Sequence, residues 1–297
     1  MRVLLIGSTG VLGRPAVRRL LADGHQVTGL ARDDERAAVI AGQGITPAVG
    51  DLFDPDSLAR VLPGHDAVLN LATRIPPAGK AMLGLGWAAN DRVRRDGSAA
   101  LVTAALACLD VHVLVQEGVT LCYADGGDAE LTEESALDVP SMVRSSMTAH
   151  ENVARFGGHG RVAVRLRIGS LLGDDPLTTA MLKAARFGLP LMYGSTDGWT
   201  APIRPVDAAF GAVAALSAPD GVYNVTGQPV RKRDLGAAMA EAAGIRRARS
   251  ISAGMATLLG PAAVFARSQR VVSTKLTEAT GWQPTDPTPN VGWFRRN

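Results

Sequence analysis

Three glycines near the start of the chain, Gly7, Gly10 and Gly13, stand at G-x-x-G-x-x-G spacing within the run RVLLIGSTGVLG. The residues before them, Val3 to Ile6, are apolar without polar alternation, which predicts a short buried parallel strand. The residues after them open a helical pattern at Val11 that continues through Val17, Leu20 and Leu21. In that setting each glycine has a separate physical task. Gly7 permits a tight turn, Gly10 lets backbone N–H groups approach a pyrophosphate, and Gly13 lets the helix pack closely on the strand. The helix N-terminus adds unpaired N–H groups and the positive end of its dipole. With Thr9, Val11 and Leu12 between the glycines, segment 7–13 reads as a dinucleotide cradle.

The next predicted strand, His25 to Ala31, bears on which dinucleotide. Sites that prefer NAD place an acid about 20 residues beyond the glycines, where it holds the ribose 2′-hydroxyl. Here the strand ends Leu30-Ala31-Arg32, and a guanidinium at that tip suits a 2′-phosphate. Asp33 and Asp34 follow at once, either of which reaches a ribose in the alternative reading, and a solvated turn arginine is the plain one. NADP is favoured over NAD.

Stepping along the chain, strands and helices alternate. Ile45–Val49, Ala67–Leu71, Val111–Val115 and Arg161–Leu166 read as strands; Asp56–Leu62, a long helix ending near Ala107, and Ser141–Phe156 read as helices. A polar loop covers Ala124 to Pro140. That order requires an α/β fold, a Rossmann-like doubly wound parallel sheet. Residues 1–170 form the dinucleotide-binding domain, and 204–226 return to it through a helix (Asp207–Leu216) and a strand (Val222–Val225). Residues 171–203 and 227–297 form a smaller, mainly helical C-terminal substrate cap.

Composition narrows the partners. A chain of 297 residues buries a large core, and its net charge of +3 is scattered, which argues against nucleic acid. No apolar run approaches the ~20 residues of a membrane span and no leader pattern precedes the first strand, so the expectation is a cytoplasmic monomer or homodimer that avoids membranes. Neither a basic nor an apolar partner surface is legible. Cys108 and Cys122 read as reduced thiols, and the dispersed histidines give no metal-ligand spacing.

The chain resembles the extended short-chain dehydrogenases/reductases, the NAD-dependent epimerase/dehydratase-like proteins. The resemblance is carried in order by GSTGVLG (7–13), GDLFDPDSL (50–58), VLNLAT (68–73), RIGSLLG (167–173), RPVDAA (204–209), GVYNVTG (221–227) and LTEATGWQP (276–284). It implies that Asp51 and Leu52 sit beside the adenine, and Ala72 and Thr73 beside the pyrophosphate and ribose. It also implies a Tyr-x-x-x-Lys pair on the helix after the fifth strand, with a Ser or Thr at that strand's exit. This sequence departs there: the residues four beyond its three tyrosines are Gly127, Asp197 and Gly227. Alignment of the helix on Glu151 puts Val143 and Met147 at the Tyr and Lys positions, and Gly118 and Val119 fall in the serine region.

Chemistry must then come from other residues around the same mouth. Thr120 and Tyr123 follow the fifth strand, and His150 extends the stripe of Val143 and Met147; these three are the candidate proton donors and acceptors. Glu117 is either a base or a solvated acid. Arg74 suits a carboxylate or oxyanion, and Trp87, Asp91, Trp199 and Arg204 are candidate substrate contacts. Three functions follow for an NADP-binding protein (NAD being the alternative) and a small-molecule substrate. They are a noncanonical reductase, a redox-neutral cyclase, dehydratase or isomerase with a structural cofactor, and a non-enzymatic NADP sensor.

Overall fold

The computed structural model describes residues 1–82, 84–258 and 260–295. Seven strands form one parallel sheet: β1 (Arg2–Ile6), β2 (Gln26–Ala31), β3 (Thr46–Val49), β4 (Ala67–Asn70), β5 (Val113–Gln116), β6 (Val162–Ile168) and β7 (Gly221–Val225). Their spatial order is β3-β2-β1-β4-β5-β6-β7, with a reversal between β1 and β4. The strands read as continuous apolar runs because both faces are covered. Val3 and Leu5 face one core with Val17 and Leu20 of α1 (Gly13–Ala22) and with Ala208 and Ala212. Leu4 and Ile6 face the other, with Leu58, Leu101 and Phe156. A smaller third core of Leu182, Leu191, Leu235 and Met239 holds the cap together.

Segment 204–226 does return to the main sheet. The helix Pro205–Ala214 packs into the first core, and β7 pairs with β6 from Gly221↔Val164 to Val225↔Ile168.

Three local expectations are corrected. The first helix begins at Gly13 and not at Val11, whose side chain stands exposed on the loop. The long helix is not uniform: Ala88–Arg92 and Ser98–Ala107 are α-helical, and Val93–Gly97 between them is a π turn. One extra residue per turn rotates the following residues out of simple i, i+3, i+4 register, which periodicity from sequence misses. The helix expected from Ser141 starts as a 3-10 turn (Ser141–Val143) before Arg144–Ala154, so Val143 precedes the α-helix.

Residues 171–203 and 227–297 are mainly helical, and four two-residue pairings tie them to one another and to the sheet domain: Ser170–Leu171 with Pro202–Ile203, Met192–Tyr193 with Ser250–Ile251, Trp199–Thr200 with Val230–Arg231, and Glu130–Leu131 with Arg270–Val271. Each depends on a partner far along the chain, so no local pattern announces it.

Candidate functional site

The glycine cradle meets the physical test for a bound dinucleotide. Gly7 has φ +87°, and a Cβ there would lie 2.9 Å from the Ala72 backbone; a Cβ on Gly13 would overlap the Gly7 carbonyl. Neither position tolerates a side chain. Gly10 is exposed, and a Cβ on it would meet only the Gly7 carbonyl, so its outer face is open to a ligand. The N-terminus of α1 carries no side-chain cap and no acid in its first turn. Helices beginning at Ser98, Arg144, Pro205 and Lys232 also lack a side-chain cap, whereas those beginning at Asp34, Pro55 and Pro176 are capped by Asp33, Asp54 and Asp175; the glycine turn before it is what sets α1 apart. The uncapped helix leaves backbone donors for a phosphate.

At the tip of β2, the exposed Arg32 guanidinium meets the Asp33 carboxylate at 3.0 Å. Asp33 also accepts the Arg36 N–H at 2.8 Å, and that bond chiefly holds its carboxyl below the usual range. At the end of β3, Asp51 accepts the Phe53 N–H at 2.9 Å, while the Leu52 side chain presses on Gly97. Gly97 closes the π turn, so that turn shapes the wall beside the expected adenine position.

The exits of β4 and β5 are tied together by a buried polar chain. Asn70 donates to Gln116 at 2.8 Å and accepts the Ala72 N–H; the Arg74 N–H donates to Asn90 at 3.0 Å. The π turn points Arg94 inward, where it grips both oxygens of Glu117 at 2.9 and 2.8 Å. Burial opposes the Arg94 charge, but the Glu117 carboxylate outweighs it and holds the guanidinium's pKa above normal. Glu117 is therefore a paired structural anion; neither a free base nor a solvated loop acid describes it. Asp91 accepts from Ser145 at 2.7 Å, and the Trp87 indole N–H is buried without a partner. Thr73 and Arg74 stand exposed on this rim, and the Arg74 guanidinium makes no ion pair among the described residues.

The three candidate proton-transfer residues do not line one mouth. Tyr123 is fully buried; its hydroxyl donates to Asn224 and accepts from Arg167, both at 2.7 Å, and burial pushes its pKa up to about 12. Its backbone carbonyl is held by Gln269 and Arg267. It is a hub joining β5, β6, β7 and the cap. Thr120, also buried, opens the turn Thr120–Cys122. His150 lies under Gly118, where a Cβ would overlap the imidazole and stand 2.6 Å from the Leu166 carbonyl. Burial, reinforced by Arg167, Arg165 and Arg94, lowers the His150 pKa to about 3, and neither ring nitrogen makes a well-formed hydrogen bond. Val143, Met147 and Val119 pack with Tyr123 in one apolar cluster.

Two further candidate substrate contacts, Trp199 and Arg204, are engaged elsewhere. The Trp199 indole donates to Asp128 at 2.9 Å, and its ring lies under Arg231 and Arg270, 4.0 and 4.7 Å from their guanidinium carbons. Arg204 binds Asp207 at 2.8 Å and Thr285 at 2.7 Å, clamping the C-terminal segment. Sequence reasoning missed the pairing of Arg94 with Glu117, 23 residues away, and of Tyr123 with Asn224, 101 residues away.

Comparison with known proteins places this geometry in a family. The profile described as NAD(P)H-binding matches residues 7–156, and the chain belongs to that family. A 3-diazoavenalumate denitrifying reductase from a Streptomyces species is 31% identical over 321 residues, covering 99% of this chain and 100% of that protein. Photosystem II assembly factor Ycf39 of Synechocystis sp. is 40% identical, but over 73 residues that span 25% of this chain and 22% of that one. Among solved structures, human epimerase family protein SDR39U1 with NADPH covers 99% of this chain and 98% of its own, with TM-score 0.77 and 23% identity. A dTDP-glucose 4,6-dehydratase, DesIV, from Streptomyces venezuelae with NAD covers 100% and 98%, with TM-score 0.76 and 20% identity. The fold is that of the epimerase/dehydratase-like short-chain dehydrogenases, and the chain carries an NAD(P)H-binding domain.

Proposed function

We propose that this protein is an NADPH-dependent reductase of an anionic small molecule whose reduction needs no proton relay from the enzyme. The reading is supported by the sequence alignment, which puts Gly118, Val119, Val143 and Met147 at the relay positions, and by the hydrogen bonds that lock Tyr123 away. A ketone or a sugar carbonyl accepts hydride to become an oxyanion, and that oxyanion needs a nearby acid. An electrophile that sheds a neutral leaving group does not.

The near-full-length relative named as a denitrifying reductase of a diazo compound fits this requirement. Gly7, Gly10 and Gly13 with the α1 N-terminus would hold the pyrophosphate, and Arg32 the 2′-phosphate; a reduced nicotinamide in that site supplies a hydride. An arenediazonium that takes a hydride at carbon loses dinitrogen: the new C–H bond forms, and the C–N electron pair leaves with N2. No protein proton is consumed. Arg74, with its backbone pinned by Asn90 and its guanidinium in no ion pair among the described residues, would orient a substrate carboxylate.

The test incubates the purified protein with NADPH and a carboxylated arenediazonium, following NADPH absorbance and product mass together. One NADPH should disappear per arene formed, and NADPH deuterated at the transferring carbon should leave one deuterium where nitrogen departed. Product without NADPH loss would establish the redox-neutral reading. Strong turnover of secondary alcohols or UDP-sugars would restore a proton relay.

A further inference from the structure

A cavity of about 370 Å³ opens between α1 and the end of the helix Asp34–Ala41. Arg14, Val17 and Arg18 line it from α1, and Val39, Gly42 and Gln43 line it from the other side. Both sides are tied to the glycine turn. The Arg14 Nε donates to the Thr9 carbonyl at 3.2 Å, and the Gln43 Nε2 to the Ser8 carbonyl at 3.4 Å. Arg14 and Arg18 stand one turn apart on one helix face, both exposed. Neither guanidinium enters an ion pair among the described residues, whereas the neighbouring Arg19 is held by Asp23 at 2.8 Å. No acid stands among the described lining residues. The Gln43 Oε1 atom is shut off from solvent and has no hydrogen-bond partner.

We propose that this cavity is a second anion site, which takes a small hydroxylated phosphate monoester and is coupled to the glycine turn. Two guanidinium groups one turn apart present donor forks that suit a phosphate dianion. An enclosed amide oxygen without a partner calls for a donor, and a hydroxyl on the organic part of the ester supplies one. Val17 and Val39 give that part an apolar wall, and the volume lies at the small end of ligand pockets. The cavity contains none of Gly7, Gly10, Gly13 and Arg32, so it stands beside the dinucleotide cradle and not in it. Coupling follows from Arg14. It holds the carbonyl of Thr9, between Gly7 and Gly10, so an anion that draws the guanidinium away loosens the turn expected to carry the pyrophosphate. The added negative charge also opposes the phosphates of a dinucleotide. Both effects weaken NADPH binding, and by linkage NADPH weakens the ester by the same factor.

Glycerol 3-phosphate is titrated calorimetrically into the full chain, with and without saturating NADPH. It should bind both forms, and more tightly than inorganic phosphate does. Arg18→Gln should weaken it at least about tenfold while leaving NADPH affinity and melting temperature as in the parent. Gln43→Ala should remove the preference for the ester over inorganic phosphate. In the reverse titration the NADPH Kd should rise about fivefold as the ester is added and then level off, and Arg18→Gln should abolish that rise. The coupling rests on the proposed cofactor; the titration without NADPH judges the site by itself. A Kd that climbs without limit places the ester at the glycine turn, in competition with NADPH, and overturns the proposal. So do a flat NADPH response, a failure of the ester to bind, and unaltered binding by Arg18→Gln.

Discussion

Arg94 and Glu117 form a two-pronged ion pair, buried to 6% and 4% side-chain exposure, between the π turn and the exit of β5. Removing one partner leaves the other charged and unsolvated. Glu117→Leu should therefore cost about 3–5 kcal/mol, measured as a shift in urea unfolding, and Arg94→Met a similar amount. The double variant should cost much less than the sum. An additive result would show that the pair is not coupled.

Arg32 should set the choice of dinucleotide. Its guanidinium is exposed and, among the described residues, pairs with Asp33 alone, so a 2′-phosphate can share it. Calorimetric titration should find NADPH bound at least about tenfold tighter than NADH, a gap of ~1.4 kcal/mol. Arg32→Ala should erase that gap without changing thermal stability. Equal affinities in the unaltered protein would refute the assignment.

Tyr123→Phe should behave as a stability variant. It removes a donor to Asn224 and an acceptor for Arg167, and a loss of about 2–3 kcal/mol is expected. Turnover measured below the new melting temperature should fall less than tenfold, with an unchanged pH profile. A titration step that vanished with the hydroxyl would restore Tyr123 to the chemistry.

His150 should control acid stability. Its pKa falls from 6.5 to about 3 on folding, so between those values the unfolded chain binds more protons than the folded one. Unfolding free energy therefore rises with pH across that window and is flat above it. The slope attributable to this residue is about 1.4 kcal/mol per pH unit. His150→Gln should flatten the acid limb when unfolding midpoints are compared from about pH 4 to pH 7. An equal slope in the variant would place the acid sensitivity elsewhere.

Arg74→Ala should raise KM for a carboxylate-bearing substrate by about 10- to 100-fold while leaving NADPH affinity unaltered. A substrate lacking the carboxylate should show no difference between variant and parent. Loss of NADPH binding instead would move Arg74 into the cofactor site.

The parts that sequence alone revealed are those fixed over short distances. β1, the glycine turn and α1 are contiguous, and each residue's conformational demand is visible in its type: Gly7 needs φ +87° and Gly13 needs no Cβ. The lack of a Lys four residues beyond any of the three tyrosines, where Gly127, Asp197 and Gly227 stand, is likewise read directly from the residues. The side-chain network is not. Tyr123 looks available in sequence, and only Arg167 and Asn224, 44 and 101 residues away, withdraw its hydroxyl. Trp199 and Arg204 were similarly captured by Asp128 and Asp207. The π turn escaped because apolar periodicity assumes a constant number of residues per turn.

The imidazole under Gly118 limits redesign of the site. A serine at 118 would overlap His150, and trimming His150 would still leave its Cβ 2.6 Å from a main-chain oxygen of β6. No single substitution restores a hydroxyl at that point, and no pair does so without moving the strand. Directed evolution toward carbonyl chemistry would have to build an acid at another position.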